Sequence, residues 1–215
     1  MVVEMDDATR EQVQEMFNEL TDDVTIHLFI KDHDCLYCSD VKDMVEQVAD
    51  LSNKVKVNEH KGSLDSDTAK EMGIEHTPAI VLHGKEPYNV KFYGIPAGHE
   101  FGSLIGSIID VSKGEVPLPA DVIEDIASIE KPINIKVFVT PQCPYCPNMS
   151  RLGNQAAIIN PLISSETIES LEFQTLTAKY EVFGVPKTVL NETVTIDGLS
   201  PIEMFVEKLF EAEGK

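Results

Sequence analysis

Two rhythms of apolar residues alternate along the first half of this chain. Val13, Met16, Phe17 and Leu20 fall at helical spacing, with acidic residues early, and predict a helix over 7–20. The nearly continuous apolar run at 24–30 predicts a buried strand. Val41, Met44, Val45 and Val48 then return to the helical period, so a helix is expected over 36–51. A short strand follows at 55–57, then a short helix at 65–72 stopped by Gly73, a residue suited to a helix C-cap. Residues 79–82 and 89–94 predict two more strands joined through a turn at Gly84. Residues 99–112, with Phe101, Leu104, Ile105, Ile108 and Ile109 apolar, predict a closing helix. The stretch 110–121 contains Gly114, Pro117 and Pro119 and reads as a connector.

The second half repeats this order. A short helix is expected at 121–129, a strand at 133–139, and a long helix opening at Cys143 and stopping near Pro161. A strand at 168–176 and a short helix carrying Tyr180 come next. Strands at 187–190 and 193–196 and a final helix at 201–211 complete the pattern. The repeat has a numerical mark. Pro78 follows Cys35 by 43 residues, and Pro186 follows Cys143 by 43. Each proline leads a four-residue strand-like run, 79–82 and 187–190. The predicted organisation is two units, 1–115 and 116–215.

Composition adds limits. The 215 residues are 42% hydrophobic and 25% charged, ordinary for a folded chain of one large or two small domains. A formal charge of −20 disfavours nucleic acid and anionic membranes as partners. No apolar run approaches the roughly 18 residues that span a bilayer. The acidic start, with Glu4, Asp6 and Asp7, is unlike a secretory signal, so a cytoplasmic location is expected.

The candidate chemistry lies in the cysteines. All four stand in two Cys-x-x-Cys pairs, Cys35-Leu36-Tyr37-Cys38 and Cys143-Pro144-Tyr145-Cys146, each after a strand-like run and at the head of an expected helix. The attacking species in disulfide exchange is a thiolate, which unpaired N–H groups at a helix N-terminus stabilise. Pro144 suits the first helical position, since its missing N–H would be orphaned there anyway. Two intervening residues put both sulfurs of a pair on one helix face. Cys35 and Cys143 are then the nucleophiles, and Cys38 and Cys146 resolve the mixed disulfide. Beside Cys35, a charged His33 would favour its thiolate and Asp34 would oppose it. The first site is therefore expected to be the weaker oxidant.

Other readings of the pairs stay open. They could bind zinc or an iron–sulfur cluster, although 104 residues separate Cys38 from Cys143, far beyond the spacing of a zinc ribbon. They could be structural disulfides. There is no phosphate-binding glycine loop and no dinucleotide fingerprint, so no cofactor is expected and electrons would arrive from elsewhere.

The element order, with Cys-Pro-Tyr-Cys and the segments 92–101 and 138–147, resembles the glutaredoxin-like protein disulfide oxidoreductases of thermophilic archaea and bacteria. That resemblance implies an α/β protein of two tandem thioredoxin-fold units, each a mixed central sheet flanked by helices. It implies cis peptide bonds before Pro78 and Pro186, with Thr77 and Val185 offering backbone groups to an extended substrate peptide. Tyr37 and Tyr145 would cap the sites and present surface to partners. It also implies thiol- or disulfide-bearing client proteins, and a separate thioredoxin-reductase-like enzyme or small thiols as electron source. The acid that true thioredoxins hold six residues before the first cysteine is replaced by Phe29 and Val137, which leaves each proton acceptor unassigned. A thioredoxin-fold binding scaffold and an electron-transfer domain for a peroxide-reducing partner are the competing functions.

Overall fold

The computed structural model describes residues 5–31, 33–62 and 64–215; Met1–Glu4 of the acidic start lie outside them. The first half runs α1 (Asp7–Met16) with a 3-10 turn (Phe17–Glu19), β1 (Val24–Ile30), α2 (Cys38–Ala49), β2 (Val55–Lys61), α3 (Asp67–Glu71), β3 (Ala79–His83), β4 (Val90–Tyr93) and α4 (His99–Lys113). The second runs α5 (Ala120–Ala127), β5 (Ile133–Val139), α6 (Cys146–Ile159), β6 (Ile163–Glu169), α7 (Gln174–Lys179), β7 (Lys187–Leu190), β8 (Val194–Asp197) and α8 (Ile202–Glu213).

Each half builds the same four strands in the same order. β1 pairs in parallel with β2 and antiparallel with β3, which pairs antiparallel with β4. β5 does the same with β6, β7 and β8. The fold is thus two tandem thioredoxin-type α/β units, but their sheets do not end where the units meet. β4 pairs in parallel with β6, giving one eight-stranded sheet, β2-β1-β3-β4-β6-β5-β7-β8.

β6 lies elsewhere than its sequence suggests, because its residues are polar. A strand was expected at 168–176, yet it occupies Ile163–Glu169, and residues 174–179 are helical. Ser164, Ser165, Glu166 and Thr167 hide the strand from a hydrophobic reading. Partners meet the side chains of Ser164, Ser165 and Glu166, whereas the Thr167 hydroxyl is buried without one. Ser165 Oγ donates to Asn154 Oδ1 (2.8 Å), and Asn134 Nδ2 donates to Glu166 Oε1 (2.9 Å) and Ser164 Oγ (2.9 Å).

Two smaller boundaries also move. α4 runs on to Lys113 and is capped by Gly114 at φ +65°, so the connector shrinks to 114–119. α6 begins at Cys146, not at Cys143. A residue before proline is disfavoured in the helical region, and Pro144 imposes that on Cys143. The proline inside the first turn is Pro147, and Pro144 lies in the loop.

The main core lies between the sheet and α1, α2, α4, α6 and α8. Phe92, Leu104, Ile108, Met149 and Phe205 are fully enclosed there. A smaller cluster around Phe29, Tyr93 and Phe138 sits on the opposite face, under α3 and α7.

Candidate active sites

β1 and β5 end at equivalent points, and each delivers its chain into a loop that carries a cysteine pair to a helix N-terminus. Cys35–Cys38 and Cys143–Cys146 are disulfides with Cα–Cα distances of 5.5 Å. Tyr37 and Tyr145 are the N-cap residues of α2 and α6, and neither contributes a side-chain cap. At the second site sulfur fills that place: the Cys146 N–H donates to Cys143 Sγ (3.1 Å). One of the helix's orphan donors is thereby turned on the Cys143 sulfur, where it would stabilise a negative charge. Cys146 is fully buried. At the first site Cys38 Sγ accepts from the Lys31 N–H (3.4 Å), and Cys35 is partly exposed.

Thr77–Pro78 and Val185–Pro186 are both cis peptide bonds, at the heads of β3 and β7. Those strands flank β1 and β5, which places each proline beside its cysteine pair. Val185 O lies 3.7 Å from Cys143 Sγ. Cys35, Tyr37, Thr77 and Pro78 line a common groove of about 740 Å³. Val185 and Pro186 line another of about 600 Å³. Tyr145 is 59% exposed at the second site, and Leu36 is 83% exposed at the first.

Residues from the opposite unit complete each site, which local sequence patterns did not reveal. In the first groove the far wall is Leu171, Glu172 and Phe173, from the β6–α7 loop. At the second site the His99 N–H donates to Pro141 O (2.9 Å), so α4 of the first unit holds the loop that leads to Cys143. Gly98, at φ +59°, makes this approach possible; a Cβ there would stand 2.3 Å from Pro141 O.

Two carboxyls come with these contacts. Glu100, buried on α4, accepts from Ser150 Oγ (2.8 Å), a hydroxyl that also reaches Cys146 O (3.2 Å). Burial pushes its pKa up, against the Ser150 and Ser103 hydrogen bonds. Glu172 accepts the Ile95 N–H on Oε1 (2.7 Å). Its pKa is pushed up to about 7, chiefly by burial and further by the charges of Glu169 and Asp40. The 43-residue repeat could not have revealed either one, because each lies near the cysteine pair of the opposite unit.

A doubled sheet with a Cys-x-x-Cys helix and a cis-proline in each half defines a tandem thioredoxin-fold chain with a disulfide oxidoreductase architecture at both sites. Residues 133–211 match the thioredoxin domain family. The whole chain superposes on a protein disulfide oxidoreductase from Aeropyrum pernix with a TM-score of 0.91 and 28% identity, covering 100% of this chain and 96% of that one. It also superposes on the N-terminal domain of alkylhydroperoxide reductase AhpF from Enterococcus faecalis, with a TM-score of 0.88 and 27% identity over 96% of this chain and 100% of that one. The alkyl hydroperoxide reductase component AhpF of Pseudomonas aeruginosa is 30% identical over 182 residues, which is 80% of this chain and 35% of that protein. The chain spans about a third of the length of the curated relatives it matches. Among the described residues no helix is long and apolar enough to cross a membrane.

Proposed function

We propose that this chain catalyses thiol–disulfide exchange on client proteins through both pairs, reducing, forming or isomerising their disulfides. The observation that carries the reading is that each pair closes on itself at a helix N-terminus, beside a cis-proline. In the reducing direction, the Cys35 or Cys143 thiolate attacks a client disulfide, and the first client sulfur leaves. Cys38 or Cys146 then attacks the mixed disulfide, releases the second client thiol and closes the pair. Two electrons pass from site to client. Thr77 and Val185 present backbone to an extended client segment, and Tyr37 and Tyr145 shape the approach. The units divide between 115 and 116, inside the 114–119 connector. A thioredoxin-reductase-like enzyme or small thiols recharge the sites in the cytoplasm.

Insulin reduction with dithiothreitol tests this on the parent and on the C35S/C38S and C143S/C146S variants. Turnover by the parent that drops sharply when a pair is lost is the expected result. Equal rates in all three chains, at the uncatalysed level, would refute it. The match to the AhpF component of alkyl hydroperoxide reductases favours a second reading, an electron-transfer domain for a peroxide-reducing partner. That reading requires slow insulin turnover and rapid exchange with such a partner.

A further inference from the structure

Neither unit supplies an acid from within its own strand, since Phe29 and Val137 occupy the place six residues before each first cysteine. The first groove nevertheless contains a carboxyl. Glu172 reaches it from the second unit and shares its lining with Cys35, Thr77 and Pro78. Its position is built by several contacts. The Ile95 N–H fixes Oε1 at 2.7 Å, and the Glu172 N–H donates to Glu169 Oε2 at 2.7 Å. Gly94, at φ +88°, leaves the space; a Cβ there would meet Glu169 Cβ at 2.8 Å and Glu172 Oε1 at 2.9 Å.

We infer that Glu172 is the proton-exchanging group of the first site, donated across the unit boundary. Its carboxylate takes the proton of the Cys35 thiol. The Cys35 sulfur attacks the client disulfide, forming a Cys35–client bond as the client S–S bond breaks. Protonated Glu172 then returns the proton to the departing client thiolate. The products are a mixed disulfide and a neutral client thiol, and Glu172 is regenerated.

The groups around it fit this role. Glu169 on β6, Asp40 on α2 and Asp34 in the loop before Cys35 are acidic, and burial lowers the pKa of His76 in the loop before Pro78. No lysine or arginine forms an ion pair with Glu172 among the described residues. A carboxyl that titrates near neutrality can both accept and return a proton there. The second site works differently, with the Cys146 N–H directed at Cys143 Sγ.

The inference rests on the exchange reading of Cys35 but can fail separately from it. The test uses the full chain carrying C143S/C146S, so that only the first pair is active, with and without E172Q. Glutamine keeps the shape and an acceptor for the Ile95 N–H. In the reduced protein, the rate of Cys35 alkylation by iodoacetamide is followed from pH 5 to 9, alongside insulin turnover. The parent is expected to show an inflection near pH 7 that E172Q abolishes, with turnover at neutral pH falling about 100-fold or more. An E172D chain should restore part of the inflection. Superimposable alkylation profiles of parent and E172Q would overturn the inference, whatever the turnover. A Glu172-dependent inflection without parental turnover would support the proton coupling and refute the exchange function.

Discussion

At the scale of single residues, the first cysteines of the two pairs sit in different company. Cys143 is met by a helix N–H and, at 3.7 Å, by Val185 O, while Cys35 opens onto a groove with Asp34, Glu172 and an exposed Leu36. Part of this contrast is visible in the sequence, because Asp34 and Leu36 adjoin Cys35 in the chain. Glu172 and Glu100 are not, since nothing local marks a glutamate that will cross to a cysteine 137 positions upstream or 43 downstream. Gly98 is equally silent. Its role exists only once α4 meets the loop before Cys143. Gly98→Ala combines a strained left-handed backbone with a Cβ set 2.3 Å from Pro141 O. The expected cost is about 2–3 kcal/mol, or roughly 4–12 °C in Tm for a chain of this size. A thermal melt that leaves Tm unchanged would show that this contact yields without strain.

At the scale of elements, strands with apolar cores declared themselves and β6 did not. A central strand is normally read from a hydrophobic run. Here Asn134 and Asn154 hold Ser164, Ser165 and Glu166 in that position. β2 extends past the expected 55–57 for a related reason. Beyond Val57 it carries Asn58, Glu59, His60 and Lys61 along a sheet edge. His60 there joins His27 on β1 and His83 on β3. His27 Nδ1 lies 3.0 Å from His60 Nε2, and the His83 ring packs edge-on at 4.5 Å. Burial, with the neighbouring His83 and His60, lowers the pKa of His27 from 6.5 to about 4. The folded state therefore holds the neutral ring while the unfolded chain takes up a proton. Stability from this group is complete above about pH 6.5 and is lost as pH falls towards 4. Discounted for a half-exposed ring, the loss is ~1–2 kcal/mol. Urea unfolding at pH 7.5 and pH 4.5 should show it, and His27→Gln should flatten it. An equal pH slope in parent and variant would place the effect elsewhere.

At the scale of the whole molecule, the internal repeat was legible and the joining of its halves was not. The equal spacing from cysteine to proline identifies two units, but the β4–β6 pairing that fuses their sheets depends on tertiary geometry. The same holds for the α4–α6 interface. There Arg151 Nη2 donates to Asp110 Oδ2 (2.6 Å), and Asn154 Nδ2 donates to Ser107 Oγ (3.0 Å). One consequence is local to the sites, since the first groove takes a wall from the second unit and the loop before Cys143 is held by the first. Two similar motifs are thereby placed in dissimilar surroundings, and dissimilar potentials should follow. Stabilising the reduced nucleophile as a thiolate makes a pair more oxidising. The N–H directed at Cys143 does this, whereas the acids around Cys35 do the reverse. The direct measurement is redox titration of the C35S/C38S and C143S/C146S chains against glutathione or dithiothreitol buffers. Both remaining pairs should titrate as two-electron couples in the range of known exchange catalysts, about −120 to −270 mV. The Cys35–Cys38 pair should have the more negative potential. A pair that stays oxidised below about −300 mV would be a structural disulfide and would contradict the account.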